Sequence, residues 1–272
     1  MSVIQNKKKP LVVLTGPTAV GKTKLSIALA KAINGEILSA DSMQVYKHMD
    51  IGSAKIRPEE MEGVPHHLID ILEPWEEFNV VVFQKHCLEC MEQIYDRSHI
   101  PILVGGTGFY IQAVLRGIDF TENEENTKYR KKLELLAEEQ GPESLHEMLK
   151  KVDPVSAENI HANNIKRTIR ALEYYELTGE PISVHNEREK ERTSPYNFSY
   201  FVLTDDREKL YARIEDRIDE MMSQGLVDEV RQLKDMGCRK GMTSMQGLGY
   251  KEILEYLCLL YTSPSPRDIS GS

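Results

Sequence analysis

The chain has 272 residues, a formal net charge of −9 and a composition ordinary for a globular protein. That length allows one sizeable domain, or a core domain with an insertion. No apolar run approaches a membrane span, and residues 1–10 lack the apolar region of a secretory signal, so we expect a cytoplasmic protein. The acidic charge taken alone disfavours a nucleic-acid partner, although phosphate contacts depend on local patches.

The first predicted strand, residues 11–14, leads into a glycine-rich segment and then into a helix with apolar spacing. Strand, G-x-x-x-x-G-K-[ST] and helix, in that order, are what a phosphate-binding P-loop requires. Glycines let the loop turn its N–H groups towards a phosphate, and the helix adds its positive dipole end. Lys22 is expected to reach the outer phosphate oxygens and the Thr23 hydroxyl to hold Mg²⁺. The predicted diphosphate or triphosphate site comprises Gly16, Pro17, Thr18, Ala19, Val20, Gly21, Lys22 and Thr23.

The second predicted strand covers residues 36–40, after a helix that we expect Gly35 to end in the left-handed conformation. Asp41 follows this strand and opens the segment DSMQVYK. Ligands in open α/β sheets bind at the carboxyl ends of strands, so Asp41 is predicted to lie near the P-loop. A surface loop aspartate is the less favoured alternative.

Two motifs resemble metal sites but are better explained structurally. His66 and His67 are adjacent in a predicted short strand, so their side chains point to opposite faces, which favours a structural or substrate-lining role over metal binding. Cys87 and Cys90 form a C-x-x-C motif, but both fall on the apolar stripe of a helix that Asn79 can cap. Core packing is therefore favoured over zinc binding or redox chemistry.

A second glycine-rich turn, Gly-Gly-Thr-Gly, follows the buried strand predicted at residues 100–104. Its Thr107 therefore also lies at a strand's carboxyl end, and a helix follows to about residue 115. We expect this turn, Asp41 and the P-loop to converge on one pocket. Simple capping of the following helix is the alternative role for Thr107.

From about residue 116 to 197 the chain is dense in charged residues and helix formers, which predicts a helical insertion. Candidate helices cover residues 128–140, 142–151, 154–161 and 164–178. The last carries Lys166, Arg167 and Arg170 on one side, and such a basic stripe suits a phosphate backbone. A merely solvated face is the alternative.

The chain is predicted to return to the core with a strand at residues 198–203, followed by a helix capped by Asp205 or Asp206. Arg213 and Arg217 are four residues apart, share a face of this helix and can clamp a pyrophosphate. Salt bridges to neighbouring carboxylates are an equally favoured alternative. Two further helices are predicted, and the Ser/Pro-rich segment after residue 260 is expected to be disordered.

Taken in series, these motifs resemble the tRNA dimethylallyltransferase (tRNA isopentenyltransferase) family. The motifs are GPTAVGKT, DSMQVYKHMDIGSAK, VPHHLID, PILVGGTGFYIQAVLRG, NIKRTIRALEYYELTGEPIS and GLGYKE. The resemblance covers about residues 10–257. It implies an α/β fold, a P-loop-NTPase-like parallel sheet core with a helical insertion domain. It also implies transfer of a dimethylallyl group from dimethylallyl diphosphate to the adenosine 3′ of the anticodon in tRNAs that read U-initial codons.

The resemblance also implies roles for individual residues. Asp41 matches the general base and Thr107 the residue that orients the reacting groups, while Arg213 or Arg217 is assigned to the diphosphate. Mg²⁺ is the implied cofactor, and the enzyme is expected to act as a monomer with no membrane partner. The residues implied in tRNA binding are Asp41, Ser42, Met43, Gln44, Thr107, Lys166, Arg167, Thr168, Ile169 and Arg170.

The resulting division places a P-loop core at residues 1–115 and 198–257, an insertion at 116–197 and a tail at 258–272. The family continues past the Tyr-Lys-Glu helix into a basic segment, whereas this sequence diverges at about residues 257–260, so we expect a truncated or spliced sequence with a foreign tail. Two other functions fit the P-loop: an ATP-dependent small-molecule kinase and a nucleotide-switched RNA-binding protein. The first gives no role to Gly-Gly-Thr-Gly, and the second none to Asp41.

Overall fold

A computed structural model describes residues 8–118 and 127–262. In these ranges, five strands form one sheet in the order β3-β2-β4-β1-β5, and every neighbouring pair is parallel. The strands are β1 (Pro10–Thr15), β2 (Gly35–Ser39), β3 (His66–His67), β4 (Ile100–Gly105) and β5 (Asn197–Val202). The predicted α/β class with a parallel sheet is therefore confirmed.

The helices of the described residues surround the sheet or form a separate bundle. They are α1 (Lys22–Ile33), α2 (Val80–Asp96), α3 (Gly108–Arg116), α4 (Thr127–Gln140), α5 (Pro142–Val152), α6 (Pro154–Asn159), α7 (Ile165–Thr178), α8 (Ile182–Glu191), α9 (Arg207–Gln224), α10 (Leu226–Asp235) and α11 (Tyr250–Thr262). None of these helices combines the length and the apolar character needed to cross a bilayer.

Two of these helices differ from the sequence-based expectation. α8 was not predicted, because its sequence is largely polar and lacks an apolar period. α11 extends to Thr262, into the segment after residue 260 that was expected to be disordered. The rest of that segment, residues 263–272, lies outside the described residues.

The chain separates into two compact units, Met1–Leu115 with Pro195–Ser272, and Arg116–Ser194. In the first unit β1, β2 and β4 are largely buried on both faces of the sheet, whereas the edge strand β5 is exposed along its whole length. Val13 and Leu103 belong to the core on one face, while Ile37 and Ile102 pack with α1 on the other. Burial of both faces explains why these strands are continuous apolar runs rather than alternating ones.

The second unit has its own core, in which Leu145 and Leu149 of α5 pack with Leu172 of α7. Its buried Asp153 accepts hydrogen bonds from the N–H and hydroxyl groups of both Ser156 and Ser183, at 2.7 to 3.0 Å. Burial opposes ionisation, but these four bonds hold the pKa of Asp153 below its usual range. One carboxylate thus joins the starts of α6 and α8.

Helix α1 ends differently from the prediction. Asn34, not Gly35, takes the left-handed conformation, with φ of 54°. Gly35 is instead required by space, because a Cβ there would lie 2.8 Å from Ile102 Cδ1 and 2.9 Å from the Ile100 carbonyl oxygen. This close approach lets β2 pair with β4.

The histidine and cysteine pairs occupy structural positions. His67 Nε2 lies 2.6 Å from Glu36 Oε2, and the same buried carboxylate receives two hydrogen bonds from Arg97. Cys87 is buried in the core, and burial raises the pKa of its thiol. Neither pair belongs to a cluster of three metal-ligating side chains within the described ranges.

Candidate active site

The P-loop lies between β1 and α1, and its backbone takes a positive φ at three residues before the helix starts. Gly16 has φ of 149°, Ala19 63° and Gly21 94°, so the loop reverses tightly and α1 begins directly at Lys22. The Lys22 ammonium donates to the carbonyl oxygens of Gly16 and Pro17, at 2.9 and 2.8 Å. The lysine side chain is therefore held against its own loop.

The chain next to β5 fixes the start of this loop. Leu203 N–H donates to the Thr15 carbonyl oxygen at 2.8 Å, which continues the β1–β5 pairing into the loop. A Cβ at Gly16 would lie 2.5 Å from the Leu203 carbonyl oxygen, so only glycine permits this approach. The first glycine of the motif is thus explained by contact with the residue that follows β5.

Asp41 follows β2 and organises its own turn. Its Oδ1 atom accepts from the Met43 N–H at 2.8 Å and from the Gln44 N–H at 3.4 Å. Such an aspartate turn fixes the carboxylate without another side chain. Within the described part of the chain, Oδ2 is left available to a ligand.

The second glycine-rich turn brings Thr107 to the same edge of the sheet. The Thr107 N–H donates to the Ala40 carbonyl oxygen at 3.3 Å, directly before Asp41. A Cβ at Gly105 would lie only 2.2 Å from that oxygen, and a Cβ at Gly106 would lie 3.9 Å from the Gly16 carbonyl oxygen. The loops after β1, β2 and β4 therefore adjoin one another, as expected from the sequence.

Helix α9 adds two arginines to this edge. Arg213 donates to the Ala19 carbonyl oxygen at 3.4 Å and forms an ion pair with Asp205 at 2.8 Å. Burial lowers the pKa of Arg217, whereas the Asp41 charge raises it. Both arginines thus lie beside the P-loop.

The pKa of Lys22 is affected by burial, by Asp41 and by Arg217 as well. Burial lowers the pKa of its ammonium, the Asp41 carboxylate raises it, and the Arg217 charge lowers it further. Three cationic side chains and the N-terminus of α1 therefore converge on one site, with Asp41 as the nearby carboxylate. Such an arrangement favours binding of a multiply charged anion.

Known proteins share the sequence pattern of this chain over most of its length. A sequence model of the family described as IPP transferase matches residues 44–265, and one described as Isopentenyl transferase matches residues 9–71. A tRNA dimethylallyltransferase of Lachnoclostridium phytofermentans is 64% identical over 249 residues, which cover 92% of this chain and 80% of that protein. The chain belongs to the IPP transferase family.

Other relatives of the family are similar over nearly the same span. A tRNA dimethylallyltransferase of Carboxydothermus hydrogenoformans is 54% identical over 91% of this chain and 79% of its own length. The solved full-length tRNA isopentenylpyrophosphate transferase of Bacillus halodurans is 46% identical, covers 94% of this chain and 79% of its own, and superposes with a TM-score of 0.66. A eukaryotic dimethylallyltransferase, solved while acting on tRNA, is 35% identical over 92% of this chain and 64% of its own, with a TM-score of 0.80.

The loop from Asp41 to Gln44, which the family resemblance assigns to tRNA, is held from within. The Gln44 amide accepts from Ser39 Oγ at 2.9 Å and donates to the carbonyl oxygens of Ser53 and Ala54, each at 3.4 Å. Its side chain therefore braces the loop. Ser42 is partly exposed, and Met43 packs against the protein core.

Sequence reasoning did not single out Lys55, although its side chain is almost completely buried. Its ammonium donates to Asp50 and Asp70, each at 2.5 Å, and to the Tyr46 carbonyl oxygen at 2.8 Å. The sequence feature that could have indicated it is a lysine directly after the small or apolar residues Ile-Gly-Ser-Ala. Lys55 thus joins Tyr46 and Asp50, in the long loop between β2 and β3, to Asp70, which follows β3.

The three basic residues predicted to share one side of α7 all reach the surface of their unit. Lys166 and Arg167 are exposed and Arg170 is partly exposed. Thr168 and Ile169 are buried in their own unit, at 0% and 3% exposure, so their side chains are not on its surface. Of the segment from residue 166 to 170, which the resemblance assigns to tRNA, the basic side chains are therefore the ones at the surface.

The residues of the site also fit a magnesium ion. Thr23 is exposed at the start of α1 and offers a hydroxyl oxygen beside the loop that would hold phosphates. Mg²⁺ prefers hard oxygen ligands and is often held by one or two protein groups together with substrate phosphates and water. The donor chemistry of the loop is thus compatible with Mg²⁺ bound through Thr23 and a diphosphate.

Proposed function

We propose that this protein transfers a dimethylallyl group from dimethylallyl diphosphate to the exocyclic amine of the adenosine 3′-adjacent to the anticodon, in tRNAs that read U-initial codons. Membership of the IPP transferase family supports the reaction class. The observation that carries the proposal is the approach of the Asp41 turn to the second glycine-rich turn, through the Thr107–Ala40 hydrogen bond beside the P-loop.

The cationic side of the site suits the leaving group. When the amine attacks the first carbon of the allylic chain, the carbon–oxygen bond breaks and negative charge accumulates on the diphosphate. The loop N–H groups, Lys22, Arg213 and Arg217 stabilise that charge because they are in place before the reaction. Mg²⁺, held by the Thr23 hydroxyl and the diphosphate, would neutralise part of the same charge.

The Asp41 carboxylate suits the acceptor, the exocyclic amine of adenine. An adenine amine is a poor nucleophile, and a carboxylate that removes its proton during attack accelerates the step. The Asp41 turn uses Oδ1 to accept from the backbone, so Oδ2 is the atom that we assign as the proton acceptor. Thr107 orients the amine and the allylic carbon from the neighbouring strand end.

The tRNA would be held by Lys166, Arg167 and Arg170 through its backbone phosphates. A base cannot react while it is stacked, so the target adenosine would be extruded from the anticodon loop into the pocket. Ser42 and Met43, in the loop after Asp41, would then contact this nucleotide. We further propose that the enzyme acts in the cytoplasm and that it is a monomer. Light scattering of the purified protein would test the monomeric state.

One assay tests the reaction. Unmodified tRNA is incubated with the protein and either dimethylallyl diphosphate or ATP, then digested to nucleosides that are weighed by mass spectrometry. Isopentenyladenosine formed only with dimethylallyl diphosphate supports the proposal. Phosphate transfer from ATP to a small molecule would indicate a kinase, and tRNA binding that depends on ATP without any modification would indicate an RNA-binding switch.

A further inference from the structure

Glu229 of α10 makes an unusual set of hydrogen bonds to a distant loop. Its carboxylate accepts from three consecutive backbone N–H groups, those of Asp50, Ile51 and Gly52, at 2.9, 2.8 and 3.1 Å. It also accepts from the Tyr250 hydroxyl at 2.7 Å. Successive N–H groups that converge on one anion form a concave nest, and here the anion is a side chain of the protein itself.

Tyr250 and Gly52 complete this contact. Tyr250 is buried, and burial together with the Glu229 charge raises the pKa of its hydroxyl, which therefore stays protonated and donates. A Cβ at Gly52 would lie 2.6 Å from the Tyr250 ring, so only glycine lets the loop approach α11 this closely. The contact therefore needs the Glu229 carboxylate as acceptor, the Tyr250 hydroxyl as donor and a glycine at position 52 to leave room for the ring.

The nest is connected to the Asp41 turn by two further contacts. Lys55 bonds both to the Asp50 carboxylate and to the Tyr46 carbonyl oxygen. The Gln44 amide donates to the carbonyl oxygens of Ser53 and Ala54, immediately after the nest. Residues 41–55 are thus one braced loop, anchored to α10 at residues 50–52 and carrying Asp41 at its start.

We infer that Glu229, together with Tyr250, is a positioning residue that holds this loop, and with it Asp41, in the geometry needed for attack by the acceptor adenosine. The inference rests on the proposed function. Glu229 acts through the loop backbone and does not touch the substrates. Its effect should therefore fall on the acceptor half of the reaction, because the P-loop, Lys22 and the arginines of α9 bind the diphosphate through separate contacts.

The test uses two conservative variants of the full chain. Glu229→Gln keeps the size of the side chain but turns an N–H₂ group towards the nest, and Tyr250→Phe removes only the hydroxyl that donates to Glu229. We expect kcat/KM for tRNA to fall roughly 10- to 100-fold in Glu229→Gln, since misplacing a reacting group by about 1 Å costs on the order of 100-fold. The affinity for dimethylallyl diphosphate should stay within about twofold of the parent protein, because no hydrogen bond to the diphosphate is removed. Loss of even one such bond would change the affinity by more than that.

A matched control lies one residue away. Asp228→Asn makes the same carboxylate-to-amide change on α10, but Asp228 is exposed and its ion pair among the described residues is with its neighbour Arg231. This variant should retain kcat/KM for tRNA. Hydrogen exchange of the peptide covering residues 47–55 supplies a readout that does not need activity: it should become faster in Glu229→Gln and Tyr250→Phe and remain unchanged in Asp228→Asn.

Two results would overturn the inference. One is unchanged exchange and unchanged kcat/KM in both Glu229→Gln and Tyr250→Phe. The other is an equal loss of tRNA turnover, diphosphate affinity and melting temperature, which would make Glu229 a general stabiliser of the unit. If the parent protein transfers no dimethylallyl group, the proposed function fails, while the exchange data still report whether Glu229 holds the loop.

Discussion

Substitution of Gly105 by alanine tests directly whether the approach of two strand ends builds the site. The φ of Gly105 lies outside the left-handed region, so the backbone itself would accept alanine, and only the surroundings forbid it. The new Cβ would lie 2.2 Å from the Ala40 carbonyl oxygen and 2.5 Å from the Ala40 carbonyl carbon. Restoring ordinary contact of at least 3.4 Å requires a separation of roughly 1.2 Å more between the end of β4 and the residue before Asp41.

Two magnitudes follow from this displacement. Overpacking of a core position costs about 1–3 kcal/mol of unfolding free energy. A shift of about 1 Å between Asp41 and Thr107 should lower the rate of transfer on the order of 100-fold. The loss of activity should therefore exceed what the loss of folded protein explains.

The assay combines thermal unfolding, followed by circular dichroism, with single-turnover transfer to tRNA at a temperature where the variant is folded. Gly108→Ala is the control for stability, because a Cβ there has no atom within 4 Å and its φ is also outside the left-handed region. It should melt no lower than the parent protein. A Gly105→Ala protein with the parent's melting temperature and transfer rate would refute the structural argument.

Three further predictions concern individual side chains. Asp41→Asn should keep the turn, since its amide oxygen can still accept from Met43, yet lower single-turnover transfer roughly 10²- to 10⁴-fold; a loss below tenfold would exclude Asp41 as the base. Arg217→Gln should weaken binding of inorganic pyrophosphate roughly tenfold or more by calorimetry, because a charge-assisted hydrogen bond is lost; unchanged binding would remove Arg217 from the diphosphate site. Hydrogen bonds from Arg97, which outweigh burial, lower the pKa of Glu36 to about 2, with His67 and His99 adding to the effect. This carboxylate should therefore contribute about 3 kcal/mol of stability above pH 4.5, and that contribution should be lost as the pH falls towards 2. Glu36→Gln should melt lower at neutral pH, and its melting temperature should fall less between pH 4.5 and 2. An unchanged fall over this range would contradict the role given to Glu36.

Local patterns were sufficient for the parts of the site that are local in the chain. The P-loop is a contiguous motif between a strand and a helix, so its residues and the start of α1 at Lys22 follow from eight letters of sequence. Asp41 and Thr107 were predicted at one edge of the sheet because the carboxyl ends of parallel strands meet there. The hydrogen bond between Thr107 and Ala40 agrees with that expectation.

One local assignment was wrong, for an identifiable reason. Asn34 took the left-handed position expected for Gly35, because Gly35 is needed where β2 approaches Ile102. Thr168 and Ile169, which the family resemblance places in a tRNA-contacting segment, have buried side chains because the helical period turns them towards the core of their unit.

The sequence by itself determined the reaction class, the glycine-rich loop after β1 and the strand ends at which Asp41 and Thr107 lie. Only the tertiary structure decided which distant contacts hold these segments in place. Glu229 bonds to Ile51 across 178 positions of the chain, and Gly105 reaches Ala40 through strand pairing. Such contacts have no local pattern, because they depend on how distant segments approach one another after folding.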